Sequence, residues 1–285
     1  MKLLNNTLYI VSTPIGNLDD ITLRAIEVLK NSDIILCEDT RRSLKLLNHF
    51  KIKKKLISYH KFNEKNQLAN VIEYINKGKI LSLISDAGTP SLSDPGRLLI
   101  NECIRFQINI TPIPGISSIT TAMSVSGFKD QFIFFGFLPK TNNEVDKTLK
   151  LLSNIHYSQI FFIPAVKINF YLKKFKQYYP GRKILLAKEM TKIYENFYRD
   201  DINNIKTFKN SIKGEITVVI SEINLKGKVK LEVDDKEKIV KKAKKYLRKY
   251  SLKDTVNIIC LETKKMNKKD VYKLCLQIKK NEKIS

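Results

Sequence analysis

The chain has 285 residues, 43% of them hydrophobic, with four cysteines, three histidines and a formal net charge of +24. That length suits two domains plus a small extra module, and no apolar run reaches the ~18 residues of a membrane span. Cys37, Cys103, Cys260 and Cys275 form no C-x-x-C pair, and His49, His60 and His156 do not cluster, so neither a disulfide framework nor a metal site is expected. The opening six residues are too short for a signal peptide, and a soluble cytoplasmic protein is the expectation.

Residues 7–12 are a short β-prone run ending in the turn Thr13-Pro14-Ile15-Gly16-Asn17. Asp19 and Asp20 then offer N-caps for a helix over 21–30, with Leu23, Ile26 and Leu29 on one face. Residues 34–37 make a second strand ending in Glu38-Asp39-Thr40-Arg41-Arg42, and 55–59 make a third. A helix over 64–77 closes on Gly78, and a strand over 79–85 leads into the loop 85–96. A helix over 97–106, a strand over 108–111 and a turn at 112–118 into another helix follow. Strands alternating with helices predict a mostly parallel sheet.

A second unit opens near Gln131, with strands expected at 158–163, 183–187, 193–198 and 215–221 and helices between them. A polar linker over 222–234 leads to three short amphipathic helices at 235–250, 252–263 and 268–280. The expected domains are therefore 1–118, an α/β domain; 119–222, a second α/β domain; and 235–285, a basic helical module.

No G-x-x-x-x-G-K-[ST] loop occurs, no G-x-G-x-x-G follows the first strand, and no G-x-S-x-G elbow appears. Three small-residue loops remain, at 13–17, 85–96 and 112–118, each after an apolar strand. In an open α/β sheet such loops gather outside the carboxyl ends of the strands. Glycine lets backbone approach a ligand closely, and Ser, Thr and Asp supply short polar arms. Ordinary turns use the same residues. A twelve-residue loop charged only by Asp86 and Asp94 is better suited to binding. Together the loops suit a neutral or zwitterionic small ligand held by backbone groups.

These residues carry a family resemblance. The series begins with Leu8-Tyr9-Ile10-Val11-Ser12-Thr13-Pro14-Ile15-Gly16-Asn17-Leu18 and Glu38-Asp39-Thr40-Arg41. It continues with Ser85-Asp86-Ala87-Gly88-Thr89-Pro90, Asp94-Pro95-Gly96, Pro114-Gly115 and Gly136-Phe137-Leu138-Pro139. It ends with Leu186-Ala187-Lys188-Glu189-Met190-Thr191-Lys192, Glu195 and Lys213-Gly214-Glu215. In that order it resembles the ribosomal RNA small subunit methyltransferase I branch of the tetrapyrrole methylase superfamily, from about residue 7 to 221.

The resemblance implies a two-domain α/β fold with a cofactor cleft between the domains, S-adenosylmethionine as methyl donor, and no metal. It implies 2′-O-methylation of a cytidine in the decoding centre of 16S ribosomal RNA, by a homodimer acting on small subunits. Carried over by position, Pro14, Gly16, Asp86, Ala87, Gly88, Thr89, Gly115, Ser117 and Ser118 line the donor cleft. Glu38, Asp39 and Glu189 are candidate bases, and Arg41, Arg42, Lys188 and Lys192 candidate RNA contacts. Each also has a structural reading: Asp39 as a cap, Glu189 in an ion-pair cluster with Lys188 and Lys192. One stretch departs from the family. Where it usually shows Tyr-Glu-Ser, a variable residue and His-Arg, this chain has Ile163-Pro164-Ala165-Val166-Lys167-Ile168.

The basic excess comprises 44 Lys and 8 Arg beside abundant Asn and Ile, a bias that A/T-rich codons produce whatever the function. Its distribution is more telling. Residues 226–285 hold 20 Lys and Arg against 8 Asp and Glu, a net of +12 in about a fifth of the chain. Lys241, Lys244 and Lys245 are the candidate RNA contacts there. Two alternatives remain at this point: a small-molecule methyltransferase, and a ribosome-assembly factor without catalysis.

Overall fold

The strands of the N-terminal sheet all run parallel, which explains why their apolar residues do not alternate with polar ones. β1 (Thr7–Val11) is buried at every position, with Tyr9 and Val11 on one face and Leu8 and Ile10 on the other. A 3-10 turn at Leu18–Asp20 follows, then α1 (Leu23–Asn31), β2 (Ile34–Cys37), α2 (Thr40–His49) and β3 (Lys55–Ser58). The half closes with α3 (Glu64–Asn76), β4 (Ile80–Ile84), α4 (Arg97–Arg105) and β5 (Asn109–Ile113). The strand order is β3-β2-β4-β1-β5. Ala25, Val28, Leu29 and Leu47 of α1 and α2 cover one face, and Val71, Ile72, Ile75, Leu99 and Cys103 of α3 and α4 cover the other. Burying each large apolar side chain is worth about 1.5–3 kcal/mol, so helices on both faces hold the sheet firmly. With all five strands pointing one way, the loops after β1, β2, β4 and β5 leave from one edge.

A computed structural model describes residues 3–209, 214–223, 233–262 and 268–281, and the chain divides into two units, Met1–Ile223 and Asn224–Ser285. Within the first unit, α5 (Ser118–Ser124) leads to a second sheet. Its elements are β6 (Phe132–Phe137), α6 (Asn142–Leu152), β7 (Ser158–Pro164), α7 (Ile168–Tyr178), β8 (Lys183–Lys188), β9 (Asn196–Asp201) and β10 (Glu215–Ile220). The order is β6-β7-β10-β8-β9, with β6 parallel to β7 and the other pairs antiparallel. Helices α6 and α7 cover one face, while Ile119 and Ala122 of α5 pack on Ile160, Leu185, Ala187 and Val219 of the other. The expected boundary at 118/119 thus falls at the start of a helix that packs on the second sheet.

The second unit contains α8 (Val233–Leu247), α9 (Leu252–Glu262) and α10 (Lys268–Asn281) around Ile239, Ala243, Leu247, Val256, Ile259, Val271, Cys275 and Ile278. Most of the expected linker, 224–232, lies outside the described residues. Among the described residues no helix is long and apolar enough to cross a membrane.

Three local expectations need correction. Asp19 and Asp20 sit inside the 3-10 turn, and Thr22 caps α1 instead, accepting the Ala25 amide at 3.1 Å. The sequence reading places no helix after Arg42, whereas α2 runs over Thr40–His49, capped by Asp39 and buried through Ser43 and Leu47. The strand expected at 193–198 is β9, shifted to Asn196–Asp201. Residues 193–195 belong to the preceding turn, in which the Lys192 amide bonds to the Glu189 carbonyl and the Glu195 amide to the Lys192 carbonyl.

Candidate active site

The three loops meet along the carboxyl edge of the parallel sheet. Thr13 and Gly88 exchange two backbone hydrogen bonds of 2.9 Å, which join the loop after β1 to the loop after β4. The Thr13 hydroxyl donates to the Ser85 carbonyl at 3.1 Å, and the hydroxyls of Ser12 and Thr89 stand 3.0 Å apart. On the other side the Ser12 amide donates to the Ile113 carbonyl. Gly115 lies so near that a Cβ there would come within 2.9 Å of the Ser12 Cβ. Gly88 has φ +79°, a conformation costly for any residue with a side chain. Ser117 caps α5, accepting the Ile119 amide at 3.3 Å, and Ser118 is its first residue. Pro14 is buried, whereas Gly16, Ala87 and Gly115 are exposed. The edge is therefore paved with backbone and small side chains.

Asp86 ties this paving to the end of β2. Its carboxylate accepts the Asp39 amide at 3.1 Å and the Arg42 guanidinium at 3.0 Å. Asp39 caps α2 and binds the Arg41 guanidinium through two hydrogen bonds of 3.2 and 3.0 Å, which hold its carboxyl down at about 2. Glu38 is half-buried, and its carboxyl is raised by burial and then by Asp86, against the pull of His60 and Arg42. Asp94, farther along the same loop, is pushed up to about 7, first by burial and then by Glu38, while a hydrogen bond from Ser85 opposes the shift.

The second sheet contributes a different kind of edge. The end of β7 and the start of β10 lie side by side through the Pro164–Glu215 pair, and the end of β8 joins them through Lys188 and Ile216. The loop 189–195 reaches the first sheet: the Asn17 amide donates to the Thr191 hydroxyl at 3.0 Å, and a Cβ on Gly16 would meet the Lys192 Cγ at 2.6 Å. Glu189 and Thr191 hold positive φ of +49° and +66°, and the Thr191 amide donates to the Glu195 carboxylate at 2.6 Å. Lys188 stands 3.9 Å from the Glu189 carboxylate, a loose contact. A Cβ on Gly136 would come within 2.7 Å of the Ser93 hydroxyl, so the β6 bulge presses on the loop after β4. Desolvation raises the Glu215 carboxyl, and Arg42 and Lys192, one from each sheet, pull it back.

Glu38, Arg42, Asp86, Asp94, Lys192 and Glu215 thus converge where the edges face. Asp94 and Glu215 are absent from the candidates read in the sequence. The available signal for Asp94 was its place as the second charge in an otherwise uncharged loop. Glu215 carried none beyond the motif that contains it, because its neighbours come from β7 and β8. The altered stretch 163–168 ends β7 and opens α7. Ile163, Ala165 and Ile168 are buried in the core, while Val166 and Lys167 are exposed. Among the described residues no group of three or more His, Cys, Asp or Glu is placed to hold a metal ion. In the second unit, Lys241, Lys244 and Lys245 of α8 and Arg248 and Lys249 just after it line a depression of about 400 Å³.

Residues 7–206 match the family model described as Tetrapyrrole (Corrin/Porphyrin) Methylases. The chain is 46% identical over 213 residues to the ribosomal RNA small subunit methyltransferase I of Mesomycoplasma conjunctivae, covering 74% of this chain and 89% of that one. It is 39% identical over 277 residues to the protein of the same name from Buchnera aphidicola, covering 95% and 96%. In fold it is similar to the uroporphyrin-III C-methyltransferase of Thermus thermophilus in complex with S-adenosyl homocysteine. That likeness has a TM-score of 0.55 at 14% identity over 76% of this chain and 97% of that one.

Proposed function

This chain belongs to the tetrapyrrole methylase family, and from that premise we propose that it methylates the ribose 2′-hydroxyl of a cytidine in the decoding centre of 16S ribosomal RNA. Its methyl donor is S-adenosylmethionine, which supplies an electrophilic methyl group when bound. The residues of the paved edge fit that donor. Gly16, Ala87 and Gly115 leave backbone uncovered, and the Gly88 conformation keeps side-chain bulk away. Pro14 and Gly16, then Asp86, Ala87, Gly88 and Thr89, then Gly115, Ser117 and Ser118 would hold it. The interlocking of these loops through Thr13 and Gly88 is the observation that carries the reading.

The charged edge suits the acceptor. Arg41, Arg42, Lys188 and Lys192 stand on the two rims and are matched to phosphates, which fix the register of a bound strand. The relatives at 46% and 39% identity bear names of ribosomal RNA methyltransferases, which supports an RNA acceptor. The basic patch at the end of α8 supports it too, since a small-molecule substrate has little use for five clustered cations. The intact donor edge argues against a non-catalytic assembly factor. A cytoplasmic homodimer acting on assembled or nearly assembled small subunits completes the proposal.

Positioning does much of the work in such a transfer, because the hydroxyl oxygen must lie in line with the methyl carbon. A ribose hydroxyl is a poor nucleophile until it loses its proton. Asp39 is a poor acceptor for that proton, since Arg41 keeps its carboxyl strongly acidic. The test is mass-spectrometric mapping of ribose methylation on small-subunit RNA from a strain lacking the gene. One cytidine in the decoding centre should lose its 2′-O-methyl group; an unchanged methylation map would refute the reading.

A further inference from the structure

Strand β6 ends in the motif Gly136-Phe137-Leu138-Pro139, which the donor edge does not use. Its pairing with β7 is irregular: Phe134 stands opposite Ile160, Gly136 opposite Phe161 and Phe137 opposite Phe162. Phe135 is thus an extra residue. Side chains alternate along a strand, so residues three apart ordinarily point to opposite faces. The extra residue cancels that alternation and aims Phe137 to the same face as Phe134. The rings agree. Phe134 and Phe137 flank Phe162 edge to face, with centroids at 5.0 and 5.3 Å, while Phe135 turns to Phe161 on the other face. Gly136 supports the bulge at φ +86°, which glycine adopts without a side-chain penalty.

That face adjoins the donor loops. Phe134 and Phe162 pack against the apolar cluster of Ile119 and Ala122 in α5, which Ile15 of the loop after β1 also joins. Across the sheet, Phe137, Phe162, Thr217 and Ala187 form one row, and the Pro164–Glu215 pair lies farther out along β7. Gly136 itself lies against Ser93, past the donor residues Asp86 to Thr89 in the same loop. The Phe137 ring therefore stands where the donor loops give way to the edge that carries Glu215. Phe134 and Phe162 are partly buried, whereas Phe137 is 43% exposed. A lone exposed phenylalanine is ordinary on a protein surface. This one is aimed by a bulge and braced by a second ring.

We propose that Phe137 is the platform on which the base of the acceptor nucleotide stacks while its ribose is presented to the methyl donor. This rests on the ribose-methylation reading above. Every nucleobase has a π face, and aromatic side chains stack on it in single-stranded recognition. A base drawn out of its own stack loses contacts that such a ring restores. Phosphate contacts fix the register of a bound strand, and the stack fixes the rotation of one nucleotide, which an in-line transfer demands. The donor carries an adenine of its own, but the residues proposed to hold it come from the first sheet. Phe137 belongs to the second.

The chain contains no tryptophan, so Phe137→Trp introduces a single indole whose emission reports stacking. Phe137→Leu keeps apolar bulk and removes the π face. With the full chain and saturating small ribosomal subunits, single-turnover methyl transfer by Phe137→Leu should fall roughly tenfold, within the usual worth of one stacked base. Calorimetry should show its donor affinity unchanged, and Phe137→Trp and Phe137→Tyr should keep most of the native rate. The emission of Phe137→Trp, read as the difference from the native chain under the same conditions, should be quenched by small subunits and not by S-adenosylmethionine alone. A native rate in Phe137→Leu, or an indole that small subunits leave unquenched, overturns the proposal. Quenching by the donor alone overturns it too and assigns the ring to the donor's adenine. So does a change in sedimentation of Phe137→Leu, which assigns the ring to contact between copies of this chain. A native protein that leaves ribose unmethylated refutes the functional reading, and the emission still decides whether a base stacks on Phe137.

Discussion

The two sheets of the first unit present their edges to the same site but build them differently. In the parallel N-terminal sheet, every strand delivers its following loop to one side, and the loops bond to one another through backbone, as at Thr13 and Gly88. In the mixed second sheet, strand ends and strand starts share an edge, so Pro164, Lys188 and Glu215 come together from three antiparallel or distant segments. The first edge joins a paving of backbone and small residues to the charges of Asp39, Arg42 and Asp86, and the second adds Lys188, Lys192 and Glu215. On the proposed function, the first edge faces the methyl donor and the second the RNA acceptor. The stretch 163–168, which departs from the family pattern, belongs to the second sheet, and half of it is buried in that core.

The sharpest way to break the comparison is at Gly88. Valine there faces a φ of +79°, a strain of about 1–2 kcal/mol before any collision with ligand. Calorimetry should show donor affinity reduced at least about tenfold, with RNA binding unchanged. Equal donor affinity would show that the paving is not the donor surface.

The converse perturbation replaces Lys241, Lys244 and Lys245 together by glutamine. If each meets a phosphate, the slope of log affinity for small subunits against log salt should flatten by about 2, at ~0.7 per contact on single strands. Donor affinity should stay the same. An unchanged slope would assign this charge to codon bias.

Lys192→Ala tests the acceptor edge itself and should weaken RNA binding about threefold while leaving donor affinity intact. The smallest effect is expected from Arg42→Ala. Its bond to Asp86 joins an exposed guanidinium to a mostly shielded carboxylate, and such pairs contribute about 0.2–1 kcal/mol. Thermal unfolding should therefore shift by only a few degrees.

The same contrast governs what was legible in the sequence. The parallel half follows from local signals, because an apolar strand followed by a small-residue loop puts that loop at a predictable edge. Loops 13–17, 85–96 and 112–118 accordingly meet as expected. The partnership of Asp39 with Arg41 is also local, two residues apart, and the capping role fits it. Asp94 was harder, since its raised carboxyl depends on burial and on Glu38 from another strand. Glu215 gave no local signal at all. The shift of β9 has a similar origin: Glu189 and Thr191 adopt conformations that single-residue preferences disfavour, and the loop 189–195 is held by Glu195 and Asn17. α2 was readable from the Asp39 cap and the Ser43/Leu47 spacing.

The most direct test of the central claim incubates the purified protein with small ribosomal subunits and S-adenosylmethionine labelled in its methyl group. The RNA is then digested to nucleosides and the label located by mass spectrometry. The account predicts label in 2′-O-methylcytidine from one position of 16S RNA, with no incorporation by the Gly88→Val variant at low donor concentration. Label on a base carbon or nitrogen, or none on the RNA, would contradict it.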